Sequence, residues 1–128
     1  MPPKAQVITD AEREIMKLLW EGKELTAREI REKLYPAGTL SEHATVQKLL
    51  QRLERKQLVS RNRDGFAHTF CAKITRDETL GEQLAELAET LCNGSMVPVL
   101  THFIMQQNLT REERRLLRKI LEEKEAEQ

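Results

Sequence analysis

A chain of 128 residues has room for one compact domain and an appendage, and none for an active site built between two large domains, so function belongs on a surface. Its 21 Lys and Arg cancel its 21 Asp and Glu, which by itself argues against a nucleic-acid partner. The cancellation is uneven, because residues 1–73 hold 14 Lys and Arg against 10 Asp and Glu, net +4, and residues 74–128 hold 7 against 11, net −4.

The opening segment, MPPKAQV, lacks the apolar core of a signal peptide, and a cytoplasmic protein is expected. Thr9-Asp10-Ala11-Glu12 is a capping box that starts a first helix, in which the Thr9 hydroxyl takes the free backbone donor three residues on and Glu12 reaches back. Ala11, Ile15, Leu18 and Leu19 recur on one face, Trp20 closes the pattern, and Gly22 is the expected left-handed stop. Leu25 is a short extended link. Thr26-Ala27-Arg28-Glu29 repeats the capping box and starts a brief second helix carrying Ile30 and Leu34, which Pro36 and Gly38 end. Ser41 is the expected cap of a third helix, with Val46, Leu49, Leu50 and Leu53 facing the first two. Three helices this small bury little apolar area, so a hairpin from Leu58 to Cys71 must close the core with Val59, Phe66 and Phe70. Helix, short strand, helix, helix, hairpin is the winged helix-turn-helix order, and the fold expected is mainly α with a small β-hairpin wing.

The block Ser41–Ala72 carries the functional signal. At 100° per residue, Ser41, Ala44, Lys48, Gln51 and Arg55 lie opposite the apolar set, flanked by Thr45, Gln47 and Arg52. Such a face suits a major groove: hydroxyls and amides meet base edges, the first turn's free donors favour a phosphate, and Lys48 and Arg52 add charge-assisted backbone contacts. Between Lys48 and Arg63 six basic residues face only Glu54, a local +5. Glu42 sits awkwardly near phosphates, and either accepts from a cytosine amino group or stays out of the groove. The hairpin adds Arg61, Arg63 and His68 around an Asp64-Gly65 turn, and an arginine wing suits a phosphate ridge or the minor groove. The expected DNA-contacting set is Ser41, His43, Ala44, Thr45, Gln47, Lys48, Arg52, Arg61 and Arg63. A solvated charged face is the alternative for each residue taken singly. A winged helix that binds protein instead of DNA is the alternative for the whole, although such a surface favours exposed aromatics over this basic run.

After residue 73 the character changes. Thr75-Arg76-Asp77-Glu78 is a third capping box, opening a helix with Leu80, Leu84, Leu87, Ala88 and Leu91 on one stripe and Asn93-Gly94 at its end. Met96 to Met105, including Val99, Leu100, Phe103 and Ile104, is apolar almost all round, yet its longest uninterrupted apolar run, Met96 to Leu100, is far too short to span a bilayer. Thr110-Arg111-Glu112-Glu113 starts a last helix with Leu116, Leu117, Ile120 and Leu121 on one face. Helices this apolar need cover, and the economical cover is the same helices of a second chain, so residues 74–128 are expected to form a two-fold dimer and residues 1–73 the winged domain.

Catalysis and metal binding have no foothold in these residues. There is no G-x-S-x-G, no H-E-x-x-H and no phosphate-cradling glycine loop. Cys71 and Cys92 are far apart and read as small buried hydrophobes, and His43, His68 and His102 lack companions at ligand spacing, so neither a metal nor a cofactor is expected.

In their order and spacing, ITDAEREIMKLLW at 8–20, LTAREI at 25–30, TVQKLLQRLERK at 45–56, the Asp64-Gly65 wing and LTREERRLLRKIL at 109–121 resemble the penicillinase-repressor family of bacterial regulators, which includes the BlaI, MecI and CopY types. The likeness covers nearly the whole chain. It implies a homodimeric winged-helix repressor on promoter palindromes, often of resistance genes, that answers to an inducer or upstream sensor. It places Thr45, Gln47, Lys48 and Arg52 on the recognition helix and Arg61 and Arg63 in the wing. Several positions depart from the family pattern. Antibiotic-sensing members are cleaved at an Asn-Phe bond where this chain reads Thr101-His102-Phe103, and copper-responsive members carry clustered cysteines where this chain has none after Cys92. Arg13 stands where many members have tryptophan and Ala44 where some have lysine. Gln57 replaces the glycine that commonly ends the recognition helix, which predicts a less sharp end.

Overall fold

The computed structural model describes residues 7–127; Gln128 and the segment 1–6, most of the stretch read above as lacking a signal-peptide core, lie outside the described residues. Threonine starts five of the helices. Thr9, Thr26, Thr39 and Thr110 precede α1 (Asp10–Gly22), α2 (Ala27–Leu34), α3 (Leu40–Arg55) and α6 (Arg111–Ala126), each closing a full capping box with the glutamate three residues on. Thr75 caps α4 (Arg76–Cys92) by accepting the Glu78 N–H at 3.0 Å, and α5 (Val97–Gln106) begins with a proline in its first turn. Ser41 is therefore not the cap of α3. It lies inside the helix, because the N3 carboxylate that completes a box, Glu42, is three residues from Thr39 and only one from Ser41.

Leu25 and Thr26 form the short strand β1, and the hairpin strands are β2 (Val59–Asn62) and β3 (Thr69–Ala72). The antiparallel order is β1-β3-β2, with Leu25 opposite Phe70 on one side and Arg61 opposite Phe70 on the other. The core beneath them joins Ile15, Met16 and Leu19 of α1 and Ile30 of α2 to Val46, Leu49, Leu50 and Leu53 of α3, closed by Leu25, Leu58, Val59 and Phe70. Burying an aliphatic or aromatic side chain of this size contributes about 1.5–3 kcal/mol, which sets each element's inward face. Phe66 does not take the core place expected of it: it lies in the six-residue loop beyond the paired strands and is fully exposed.

The buried face of α1 is rotated from the expected stripe. Ala11 is exposed and Leu18 half-buried, while Met16 and a carboxylate, Glu12, are completely buried. Lys56, 44 residues away at the end of α3, makes this possible: its ammonium donates to both Glu12 oxygens at 2.8 and 2.9 Å and to the Val7 carbonyl at 2.7 Å. Burial pushes the Glu12 pKa up, but the hydrogen bonds from Lys56 and Thr9 outweigh it and hold the carboxyl below its ordinary 4.5. Gly22, expected to be the left-handed stop of α1, is helical, and the positive φ falls on Lys23, at 67° with ψ −84°. Glycine at 22 serves a different need, since a Cβ there would stand 3.3 Å from the Leu25 side chain.

The end of α3 also differs from expectation. Gln57 adopts φ 62°, the Leu58 N–H bonds the Leu53 carbonyl at 3.0 Å and the Gln57 N–H bonds the Glu54 carbonyl at 2.9 Å. That is a full Schellman closure, as sharp as a glycine would make it, because Leu58 and Leu53 share the core and pull the chain round. Cys71 and Cys92 are half-buried rather than buried, and the Cys71 Sγ lies 3.0 Å from the Ser60 hydroxyl. The described chain divides inside α4, between Gln83 and Leu84, into two compact units. Helices α5 and α6 contribute no buried residue, and Ala88 is the one buried position of α4.

Gln57→Gly relieves the left-handed strain and raises stability by roughly 0.5–1 kcal/mol in urea unfolding. A carboxyl with a depressed pKa stabilises the fold fully above its unfolded pKa and loses that contribution as pH falls through the folded value, so the wild type weakens below about pH 4.5. Lys56→Met leaves the Glu12 charge buried without its cation and costs about 3 kcal/mol at neutral pH. Its carboxyl then titrates above the ordinary value, so the variant regains stability as pH is lowered from neutrality towards 5, which urea midpoints across that range measure.

Candidate nucleic-acid interface

Because α3 buries Val46, Leu49, Leu50 and Leu53, its other side is left to solvent. Ser41, Ala44, Thr45, Gln47, Lys48, Gln51, Arg52 and Arg55 are exposed and His43 is half-buried. Local hydrogen bonds set what these groups offer. The Thr45 hydroxyl donates to the Ser41 carbonyl at 3.0 Å, which leaves its oxygen outwardly an acceptor. The Gln47 amide nitrogen donates to His43 Nε2 at 3.2 Å, holding the two side chains one turn apart. Glu42 is folded back on the cap, with Oε1 2.8 Å from the Thr39 hydroxyl.

The wing loop is polar at its root and open at its tip. The Asn62 side chain accepts the Asp64 N–H at 2.9 Å, and Gly65 at φ 128° takes the position an L side chain would strain. Arg63 and His68 are exposed. Arg61 is held differently: its Nη2 lies 2.6 Å from Glu54 Oε1, its guanidinium stacks 4.8 Å from the Phe70 ring centroid, and Nη1 lies 3.1 Å from His68 Nδ1. A guanidinium only donates, so His68 Nδ1 is the acceptor and carries no proton in this arrangement.

The six cations between Lys48 and Arg63 therefore fall into two groups. Lys56 and Arg61 are engaged internally by Glu12 and Glu54. Lys48, Arg52, Arg55 and Arg63 are exposed and form no ion pair among the described residues. Of the sequence-predicted set, Gln47 and Arg61 border one groove of about 480 Å³ between α3, the start of α2 and the wing, while Ser41, His43, Ala44, Thr45, Lys48, Arg52 and Arg63 lie off its wall. The groove also takes in Arg28, Gln51 and Phe66. Gln51 was legible as an outward position one turn after Gln47. Arg28 was hidden inside a capping box, and Phe66 by the assumption that an aromatic near a core belongs in it. Among the described residues no cluster of His, Cys, Asp and Glu could hold a metal ion, and no helix is long and apolar enough to cross a membrane.

A three-helix core, a β1-β3-β2 sheet and a hairpin rooted against the polar-faced third helix define a winged helix-turn-helix protein. The sequence profile of the penicillinase repressor family matches residues 8–123, and the chain belongs to that family. It is 36% identical over 119 residues to the transcriptional regulator BlaI of Mycobacterium tuberculosis, a match covering 91% of this chain and 84% of that protein. To the penicillinase repressor of Bacillus licheniformis it is 27% identical over 120 residues, covering 94% and 93% respectively. The solution structure of the DNA-binding domain of the repressor BlaI is 27% identical, covering 61% of this chain and 93% of that one, with a TM-score of 0.49. The family consists of transcriptional repressors, not enzymes.

The unpaired cations lead to a direct measurement. If the exposed cations hold the DNA backbone, Lys48→Ala and Arg63→Ala are each expected to weaken binding to every duplex and to lower the log-log salt slope by about 0.9. Thr45→Ala and Gln47→Ala instead alter sequence preference with the slope unchanged, which titrations on random and selected duplexes distinguish.

Proposed function

We propose that this protein is a homodimeric, sequence-specific DNA-binding repressor that occupies a palindromic promoter operator in the cytoplasm and excludes polymerase by its presence. The observation that carries the reading is the outward face of α3, where acceptors and amides stand among cations that no carboxylate of the described chain neutralises. Thr45, Gln47 and Ala44 read base edges, and Ser41, His43, Lys48, Arg52 and Arg63 hold the backbone. Residues 1–73 act as the reader and residues 74–128 as the dimerisation region.

Support for the dimer comes from apolar side chains that a single chain leaves in water. Leu80, Leu87, Leu91, Leu100, Phe103, Ile104, Leu116, Leu117, Ile120 and Leu121 are all exposed, Phe103 at 61% and Leu121 at 70%, with Leu84 and Val99 half-buried beside them. A second copy supplies an identical apolar surface and covers both at once. Two readers on one frame gain affinity by effective concentration and require half-sites about one helical turn apart, or a multiple of it. Release is the work of an inducer or upstream sensor that does not cut an Asn-Phe bond, since Thr101-His102-Phe103 stands at that place.

Sedimentation and a salt titration on random duplex test this together. The wild type sediments as a dimer and loses DNA affinity steeply with salt, while Leu117→Asp sediments as a monomer, keeps a folded winged unit and loses operator binding. A monomeric wild type overturns the dimer, and salt-insensitive or absent DNA binding turns the protein into a protein-interaction module.

A further inference from the structure

Arg61 is poorly placed to hold a phosphate. Its side chain is only 23% exposed, Glu54 at 2.6 Å neutralises it, Phe70 covers one face, and its Nε is buried without a partner. The same geometry touches every part of the reading head. Glu54 belongs to the last turn of α3, Arg61 to β2, Phe70 to β3 and His68 to the wing loop, and Arg61 and Phe70 are cross-strand partners. Among the described residues the Glu54–Arg61 pair is the one polar side-chain contact between α3 and the hairpin. The wing loop from 63 to 68 has no strand pairing and a fully exposed tip, so its direction depends on how its root is held.

We propose that Glu54 and Arg61 are positioning residues: a half-buried strut that fixes the angle between recognition helix and wing, so that both engage one DNA segment without further ordering. The inference rests on the DNA-binding reading above and reassigns Arg61 within it. Holding two contact elements at a preset angle lowers the entropy lost on binding. Arginine suits the task because its planar fork stacks on Phe70 while bonding on two sides, which lysine does not reproduce.

The strut makes a prediction opposite in sign to simple electrostatics. Glu54 puts a negative charge beside the DNA-facing surface, so on Coulombic grounds its removal tightens binding. If it holds the wing, removal weakens binding. With the full-length protein and a fluorescent random-sequence duplex across a salt series, Glu54→Gln is expected to weaken binding about tenfold with an unchanged salt slope, the size of coupling that contacting residues show. Arg61→Met is expected to do the same, and the double variant to be no weaker than Arg61→Met alone. Binding by Glu54→Gln equal to or tighter than wild type, or a slope lowered by about 0.9 in Arg61→Met, overturns the strut. Wild-type protein without salt-sensitive binding sinks the DNA reading instead. Amide hydrogen exchange then decides the strut by itself: in Glu54→Gln, faster exchange through residues 60–70 with unchanged protection at Val46–Leu53 supports it, and unchanged exchange throughout refutes it.

Discussion

The burial of one side of α3 governs everything outside it. Val46, Leu49, Leu50 and Leu53 lie at helical spacing and are all removed from water, each contributing about 1.5–3 kcal/mol, whereas rotating the helix by one residue would expose two or more of them. No surface interaction of Thr45, Lys48 or Arg52 competes with that. The composition of the outward face is thus a by-product of the apolar register. The other elements serve the same end: Ile15, Met16, Leu19 and Ile30 receive the helix from one side, and Val59 and Phe70 close the core.

Charge balance is the second theme, and local partners decide it rather than totals. A chain neutral overall leaves four cations free over a short stretch because its nearby carboxylates have other duties. Glu42 closes a cap, Glu12 is buried under Lys56, and Glu54 is tied to Arg61. Glu42, Glu12 and Glu54 are each held by a donor of the protein itself, which blunts their repulsion of a polyanion. The cost is that two of the six cations are used in the same way, so the free charge of this surface is smaller than its composition suggests.

The C-terminal helices present the converse situation. α6 is capped as completely as the helices of the winged unit, with Thr110 and Glu113 closing a full box, and α5 starts on a proline without a side-chain cap, yet both bury nothing in the single chain. Secondary structure here is secured locally while the apolar faces are left unsatisfied.

Local chemistry was legible in the sequence wherever cause and effect lie within one turn. The capping boxes at Thr9, Thr26 and Thr110, the extended Leu25, the inward face of α3 and the Asp64-Gly65 turn all follow from spacing. Thr39 was legible too, since Thr39-Leu40-Ser41-Glu42 is itself a capping-box sequence, whereas Ser41 has no carboxylate three residues on. Tertiary structure alone decided the rest, because the deciding partner is distant or shared. Glu12 is inside only because Lys56 reaches it from the far end of α3, Gln57 turns left-handed because Leu53 and Leu58 meet in one core, and Phe66 is outside because strand pairing stops at Asn62 and Thr69. Periodicity reports how a segment meets water. It does not report which charge will meet which, Glu12 with Lys56 across 44 residues or Glu54 with Arg61 across the turn from helix to strand, and those pairings settle which cations stay free in water.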